Sequence, residues 1–260
     1  MSELKGQTAI VTGGGQGIGR EIALALADAG ASVAVTGRNL ETLEGTVALI
    51  EGAGGRALAI VADVAKQADC ERMAAETLDK LGSLEILVNN AGISGVTKST
   101  LDMTLAEWQE VIDIDLTGPW LATKAVLPTM TVARSGVVLN ISSEAGRTGY
   151  PQRAPYAAAK WGLIGLTQTW AREWGMLGLR FNCICPGAIE GDRIERVMRA
   201  RAEAVGRPYE DVKRDFTSSS PLARMATESE VANMARFLCS AAGSGITGQT
   251  VNVNCGSVMN

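Results

Sequence analysis

Residues 8–19 read TAIVTGGGQGIG, a short apolar run that passes directly into a glycine-rich turn. The next residues, EIALALA at 21–27, have the composition and spacing of a helix. Glycines let the backbone approach a pyrophosphate, and the free N–H groups at a helix N-terminus favour its negative charge. Strand, turn and helix in this order therefore predict a dinucleotide-binding unit. The residues expected to bind there are Gly13, Gln16, Gly17, Ile18 and Gly19.

Short runs rich in Val, Ile and Ala alternate along the chain with longer segments of helical period. This alternation predicts an α/β fold, a doubly wound Rossmann-type sheet of seven parallel strands with helices on both faces. The predicted strands are 8–12, 32–36, 57–61, 84–89, 137–142, 179–185 and 250–254. The predicted helices are 17–29, 40–51, 66–81, 104–131, 156–177 and 228–240.

No proline-rich, low-complexity or strongly charged stretch divides the 260 residues, so we predict one domain over residues 1–260. A long polar segment interrupts the alternation just after the sixth strand, at the sheet edge where ligands bind. We predict a helical substrate lid there, at about residues 187–221. Its charges fit either an anion-recognising lid or an exposed, ion-paired helical face, and the i,i+4 spacing of Glu195 and Arg199 favours the second.

Composition excludes several classes of function. A net charge of -4 without a basic tract argues against nucleic acid, and no apolar run approaches the ~20 residues of a membrane span. The first residues, MSELKG, do not resemble a signal peptide, and five cysteines are an odd number, so a cytoplasmic protein with reduced thiols is expected. The sequence has no histidine, which excludes a Ser-His-Asp triad and a His-ligated metal, and we predict no metal site.

The end of the predicted second strand indicates the cofactor. Residues 35–39 read VTGRN, so no carboxylate is available to bind both hydroxyls of an adenosine ribose. Arg38 suits a 2′-phosphate and Gly37 leaves room for one, so NADP is expected, with NAD as the alternative. Asp63, with Val64 beside it, follows the third strand and either meets the adenine or caps the next helix.

Tyr156 and Lys160 lie one turn apart in a predicted helix, and Ser143 precedes the tyrosine by thirteen residues. A phenol keeps its proton at neutral pH, but a cation one turn away favours the phenolate. Tyr156 is therefore a candidate proton donor and acceptor.

Five motifs occur in order: TGGGQGIG at 12–19, NNAG at 89–92, a serine at 143, YAAAK at 156–160 and PG at 186–187. In this order and at these intervals the sequence resembles the short-chain dehydrogenase/reductase family over nearly its whole length. The resemblance implies that Tyr156 is the general acid or base at the substrate oxygen and that Lys160 assists it and binds the nicotinamide ribose.

By the same resemblance, Ser143 holds the substrate oxygen. Its neighbour Ser142 is the competing candidate, but the interval to Tyr156 favours Ser143. The resemblance also implies cofactor contacts on the adenosine side and at the nicotinamide carboxamide. They are Asn90, Ala91 and Gly92, and Pro186, Gly187 and Ile189, respectively.

Two positions depart from the family pattern. Asp115 stands where the family often has an asparagine, 28 residues before the serine, and we expect it to hold a proton-relay water to Lys160. Gly191 stands where a threonine is frequent after the PG motif.

The resemblance further implies a homotetramer built on the fourth and fifth helices. Trp170 and Trp174, an i,i+4 pair on the fifth helix, either supply interface area or face the core.

The expected substrate is a small polar secondary alcohol or ketone, such as a sugar, polyol or hydroxy acid. This hypothesis rests on the polar lid and on polar residues that follow the serine, namely Glu144, Arg147, Gln152 and Arg153. Alternatively, Trp161, Met198 and Phe216 form an apolar wall for a cyclic or acyl ketone, or pack without touching a ligand. A non-catalytic dinucleotide sensor would not need Ser143, Tyr156 and Lys160 together, so their presence favours an enzyme.

Overall fold

A seven-stranded β-sheet forms the centre of the computed structural model, which describes residues 3–218 and 220–260. The strands are β1 (Thr8–Thr12), β2 (Ser32–Gly37), β3 (Arg56–Val61), β4 (Ile86–Asn89), β5 (Gly136–Ile141), β6 (Leu179–Pro186) and β7 (Thr250–Val253). Their spatial order is β3-β2-β1-β4-β5-β6-β7, and neighbouring strands pair in parallel. The predicted α/β fold is confirmed.

Helices cover both faces of the sheet. They are α1 (Gly17–Asp28), α2 (Leu40–Gly52), α3 (Gln67–Leu81), α4 (Leu105–Ile112), α5 (Gly118–Ala133), α6 (Ala154–Trp174), α7 (Asp192–Val205), α8 (Tyr209–Ser218) and α9 (Glu228–Cys239). Helices α1, α2 and α9 share one apolar cluster with the sheet, and α3, α5 and α6 share the other. The two clusters form the core of the three-layer fold.

Successive strand residues belong to opposite clusters. In β1, Ala9 and Val11 contact the α1 side while Ile10 contacts the α3 side, and all three are fully buried. Both faces therefore need apolar side chains, which explains why the strands read as continuous apolar runs.

The predicted helix 104–131 is observed as a continuous helical stretch, 105–133, that one π-helical turn divides. Helix α4 starts after Thr104, whose side chain forms a capping box with Glu107, but the α-helical pattern stops at Ile112. A π-helical turn, Asp113–Thr117, follows, and α5 begins at Gly118. A π-turn occurs as a single turn inside a longer helix, so the helical segment predicted from sequence continues on both sides of it.

Trp170 belongs to the core, which decides between the two roles left open for it. Only 6% of its surface is exposed, and its ring centroid lies 6.0 Å from that of Phe181 on β6. Trp174 packs, half-buried, against the same cluster. The exposed tryptophans are Trp120 on α5 and Trp161 on α6, at 42% and 51%.

The predicted lid segment contains α7 and α8, although Ser219 of that segment lies outside the described residues. The two helices pack through a separate apolar cluster that includes Met198 and Val212. Glu195 and Arg199 form an exposed ion pair, with 3.7 Å between carboxylate oxygen and guanidinium nitrogen. This contact agrees with the ion-paired helical face. In the described part of the chain, no helix is both long and apolar enough to cross a membrane.

Candidate active site

A cleft of about 710 Å³ opens at the carboxyl edge of the sheet. Most of the residues proposed from sequence for the cofactor and the chemistry line this one cleft: Gly13, Gln16, Gly17, Ile18, Gly19, Asn90, Ala91, Gly92, Ser143, Tyr156, Lys160, Pro186, Gly187 and Ile189. They come from loops after β1, β4, β5 and β6 and from the first turns of α1 and α6. Parallel strands bring these loops together because their carboxyl ends share one edge.

The glycine turn is held by the loop that follows β4. The side-chain amide of Asn90 donates to the carbonyl oxygens of Thr12 and Gly13, at 2.9 and 3.2 Å. The Thr12 hydroxyl in turn accepts from the backbone N–H groups of Asn90 and Ala91, both at 3.0 Å. A Cβ on Gly19 would collide with the Gly13 oxygen and with the Asn90 amide. The turn therefore needs glycine at position 19.

The start of α1 offers unused hydrogen-bond donors to the cleft. Gln16, its N-cap residue, provides no side-chain cap, and the first turn carries no acidic residue. Free N–H groups and the helix dipole at such an end favour an anionic group. Gln16, Gly17 and Ile18 also line the cleft, so an anionic group of a ligand there could reach this end of α1.

Three proposed cofactor residues do not line the cleft. Arg38, Asp63 and Val64 follow β2 and β3 at the same sheet edge. Arg38 is exposed, and among the described residues it has no hydrogen bond or ion pair. The Asp63 carboxylate accepts from the backbone N–H of Ala65 at 3.1 Å, two residues before α3, so it stabilises a turn and does not cap the helix. Val64 is buried against Gly118.

Ser143 and Ser142 have different surroundings. The Ser143 side-chain oxygen accepts from the backbone N–H of Ala145 at 3.1 Å and caps a short 3₁₀ turn at Glu144–Gly146. Its own proton stays available for a ligand. Ser142 is 4% exposed, and its hydroxyl donates to the backbone oxygen of Lys160 at 2.8 Å. This geometry favours Ser143, as the sequence interval did.

Lys160 is buried beside Tyr156, with its Nζ atom 5.5 Å from the centroid of the phenol ring. The ammonium donates to the backbone oxygen of Ile141 at 3.2 Å. It also pairs with the fully buried carboxylate of Asp115, at 3.2 Å. The two charged groups are in direct contact, whereas the sequence suggested a water between them.

Asp115 also contacts the loop that follows β4. Its second oxygen accepts from the backbone N–H of Ile93 at 2.7 Å. A Cβ on Gly92 would lie only 2.9 Å from the carboxylate. The π-turn places Asp115 between this loop and Lys160, so one carboxylate contacts both the cleft wall and the ammonium.

The cleft continues beyond Ser143 and Tyr156 toward the lid. Arg153 is buried there and donates to the backbone oxygen of Ser94 at 2.8 Å. Burial raises the pKa of the Tyr150 phenol and of the Glu144 carboxyl. Tyr150 was missed from sequence because a tyrosine in a loop carries no periodic or motif signal.

Among the proposed substrate contacts, Glu144 and Arg153 line the cleft, but Arg147 and Gln152 do not. Arg147 instead donates to the backbone oxygen of Thr250 at 2.8 Å. Of the proposed apolar wall, Phe216 alone lines the cleft. Met198 is buried in the lid cluster and Trp161 lies half-exposed on α6, so the proposed three-residue wall is not formed.

Comparison with known proteins relates the chain to reductases. A family model described as enoyl-(acyl carrier protein) reductase matches residues 13–258. The 3-oxoacyl-(acyl-carrier-protein) reductase of Synechocystis sp. is 42% identical over 261 residues, covering 100% of both chains. An NAD⁺-bound xylitol dehydrogenase has a TM-score of 0.95 at 29% identity, covering 98% of this chain and 100% of its own. A variant of actinorhodin polyketide ketoreductase with NADPH has a TM-score of 0.93 at 32% identity, covering 99% of each chain.

Substituting Gly19→Ala is expected to weaken binding of NADPH by about tenfold or more. The added methyl group overpacks the contact with Gly13 and Asn90, a cost of ~1–3 kcal/mol, and tenfold in affinity is ~1.4 kcal/mol. Fluorescence titration with NADPH measures the change. The matched control is Gly45→Ala on α2, where a Cβ meets nothing within 4 Å and affinity should stay unchanged. Equal affinity of the Gly19→Ala variant and the parent would contradict the role of this contact.

Proposed function

The chain belongs to the short-chain dehydrogenase/reductase family and is an NAD(P)-dependent oxidoreductase, and within that class we propose an NADP-dependent enzyme acting on CH–OH groups. Its substrate is a small polar secondary alcohol or the corresponding ketone, such as a sugar, polyol or hydroxy acid. The observation that carries the proposal is the meeting of Ser143, Tyr156 and Lys160 in the cleft that also contains the glycine turn.

The chemistry divides among three side chains. Bound NADP supplies or accepts the hydride. Tyr156 donates its phenolic proton to the substrate oxygen during reduction and takes a proton from the alcohol during oxidation. The Ser143 hydroxyl accepts from Ala145, and its own proton remains available to donate to the same oxygen. The Lys160 ammonium, 5.5 Å from the phenol ring centroid, favours the phenolate that remains after proton transfer.

We propose Asp115 as a positioning residue for Lys160. A buried ammonium is costly unless a charge or several hydrogen bonds compensate it. Asp115 supplies the charge at 3.2 Å and is itself held by the Ile93 N–H. The pair therefore fixes the ammonium beside Tyr156 in a site from which water is largely excluded.

The proposed cofactor contacts come from loops at the carboxyl edge of the sheet, and each loop is assigned to one part of the cofactor. The turn at 13–19 is proposed to hold the pyrophosphate, and Asn90, Ala91, Gly92, Asp63 and Val64 to meet the adenosine. Pro186, Gly187 and Ile189 are proposed for the nicotinamide carboxamide. Exposed Arg38 supports a 2′-phosphate and hence NADP. NAD stays the alternative, because similar structures carry either cofactor.

A polar substrate is supported by four polar side chains at the lid end of the cleft, Glu144, Tyr150, Arg153 and Arg196, which lie there beside the apolar Ile194, Val197 and Phe216. A second candidate is an acyl ketone. It is favoured by the similarity to the 3-oxoacyl-(acyl-carrier-protein) reductase of Synechocystis sp.. Steady-state kcat/KM values for polyols and for a 3-oxoacyl thioester distinguish the two.

We also propose that the enzyme is a homotetramer. Trp120 and Trp161 are exposed large apolar residues on α5 and α6. An open apolar groove between the π-turn, α5 and α6 is lined by Leu116, Thr117, Trp120, Gly162, Gly165 and Leu166. Exposed apolar area of this kind favours self-association.

Three further expectations stay predictions from the sequence: one domain, a cytoplasmic location and the lack of a nucleic-acid or membrane partner.

Tyr156→Phe is expected to keep NADPH affinity but to lose most turnover, about 10²- to 10⁴-fold, because only the transferable proton is removed. The measurement follows reduced-nicotinamide absorbance over panels of sugars, keto acids and cyclic ketones. Undiminished activity of the variant would end the assignment of Tyr156. A parent enzyme that turns over no member of these panels would contradict the polar substrate and favour the acyl ketone.

Arg38→Asp is expected to invert the cofactor preference toward NAD. The carboxylate repels a 2′-phosphate and accepts hydrogen bonds from ribose hydroxyls. The ratio of kcat/KM for NADPH to that for NADH measures the preference. An unchanged ratio would refute the 2′-phosphate contact.

Asp115→Ala is expected to lower the free energy of unfolding by about 3–5 kcal/mol, because it leaves the buried ammonium of Lys160 without its counter-charge. Turnover should also fall, by up to about 100-fold, through misplacement of Lys160. Asp115→Asn, which keeps the shape, should recover part of both losses.

Denaturant titration and kcat at saturating NADPH measure these effects. The matched control is Asp113→Asn on the same π-turn, a half-exposed carboxylate bonded to Gln109. Its stability should change by at most ~0.5 kcal/mol. If the Asp115 and Asp113 variants have the same kcat as the parent, Asp115 does not position Lys160.

A further inference from the structure

Glu144 is a carboxylate in the cleft wall directly after Ser143. Only one of its two oxygens has a hydrogen-bond partner among the described residues. The Ser257 hydroxyl donates to its Oε2 atom at 2.7 Å. Among residues 3–218 and 220–260, no donor contacts Oε1. Because Glu144 lines the cleft, this free oxygen is available to a ligand.

Two sets of contacts hold the Glu144 side chain in place. On one side it begins the 3₁₀ turn that Ser143 caps. On the other, Ser257 lies in a tail segment ordered by Asn254, whose side chain donates to the Val258 oxygen at 2.8 Å and accepts from Gly256 at 3.0 Å. A carboxylate held in this way loses little entropy when it binds a ligand.

The surroundings of Glu144 decide which donor suits it. Burial raises the pKa of its carboxyl, since water that would solvate the charge is displaced. A ligand donor to Oε1 replaces that lost solvation. The same cleft is lined by four cations, Arg20, Arg153, Lys160 and Arg196, which outnumber its three carboxylates, Glu144, Glu190 and Glu228, and therefore disfavour an ammonium group. A neutral hydroxyl suits this position, because it donates to Oε1 and adds no positive charge to the cleft.

We propose that Oε1 of Glu144 accepts a hydrogen bond from a second hydroxyl of the substrate, on a carbon next to the reacting one. Ser143, proposed to hold the reacting oxygen, and Glu144 both line the cleft, so a substrate with a second hydroxyl next to the reacting carbon has an acceptor in the same cleft wall. The substrate class narrows to vicinal diols and α-hydroxy ketones. This inference rests on the proposed function, in which Ser143 and Tyr156 bind the reacting oxygen.

The test compares matched substrate pairs that differ only by the second hydroxyl: butane-2,3-diol with butan-2-ol, propane-1,2-diol with propan-2-ol, and cyclohexane-1,2-diol with cyclohexanol. For each pair, the ratio of kcat/KM for diol to that for mono-alcohol is measured with NADP⁺ in the parent and in Glu144→Ala. A hydrogen bond from substrate to a carboxylate predicts that the ratio falls about 10- to 100-fold in the variant. Glu144→Gln, which keeps an acceptor oxygen, should lose less.

Glu190→Ala is the matched control, because it removes another carboxylate from the same cleft. Its ratio should equal that of the parent. NADPH affinity, measured for every variant, identifies misfolding, and Glu144→Gln carries the test if Glu144→Ala does not bind NADPH.

The outcomes separate the two proposals. If Glu144→Ala changes kcat/KM for diols and mono-alcohols by the same factor, this inference is overturned while the proposed function stands. If the parent turns over neither member of any pair, nor any ketone of the wider panels, the proposed function fails and this inference fails with it.

Discussion

Hydrogen bonds between the ends of β1 and β4 hold the cleft open at the middle of the sheet. After β1 the chain turns to α1 on one face, and the long connection after β4 leads to α5 on the other face. A gap forms where neighbouring strands send their connections to opposite faces. The Asn90 side chain bridges this gap to Thr12 and Gly13, and so fixes the glycine turn against the loop that follows β4. Hydrogen bonds within the protein itself therefore join the two loops at the floor of the cleft.

Polar contacts inside the fold align α6 with that floor. Asn89 on β4 donates to Asn140 on β5 at 2.9 Å, and Asn140 donates to Thr167 on α6 at 2.8 Å. Two turns earlier in α6, Lys160 bonds to Ile141 and pairs with Asp115. Hydrogen bonds and ion pairs between buried polar groups favour one arrangement of a helix on a sheet. Tyr156 is thereby placed relative to Ser143 by the core rather than by a flexible loop.

The strands and the main cleft residues could be predicted from sequence, because apolar runs and glycine turns report local structure. The π-turn at Asp113–Thr117 could not, since it lies inside a longer helical segment and has no motif of its own. The contact of Glu144 with Ser257 was also missed, because it joins residues far apart in sequence and has no motif. Trp170 stayed ambiguous for a related reason: an apolar stripe on a helix does not tell which partner covers it. The role of Arg38 in cofactor choice could not be assigned from the fold, because its side chain is exposed and has no hydrogen bond or ion pair among the described residues.

The close approach of Gly92 to Asp115 has an evolutionary consequence. Any side chain at position 92 would meet the carboxylate at 2.9 Å, and the carboxylate is the counter-charge of Lys160. Positions 92, 115 and 160 therefore form a unit in which each residue limits the choice at the other two. Substitutions there should covary among homologues. Libraries that randomise one of these positions at a time will sample mostly inactive proteins, and only simultaneous randomisation can reach alternative solutions.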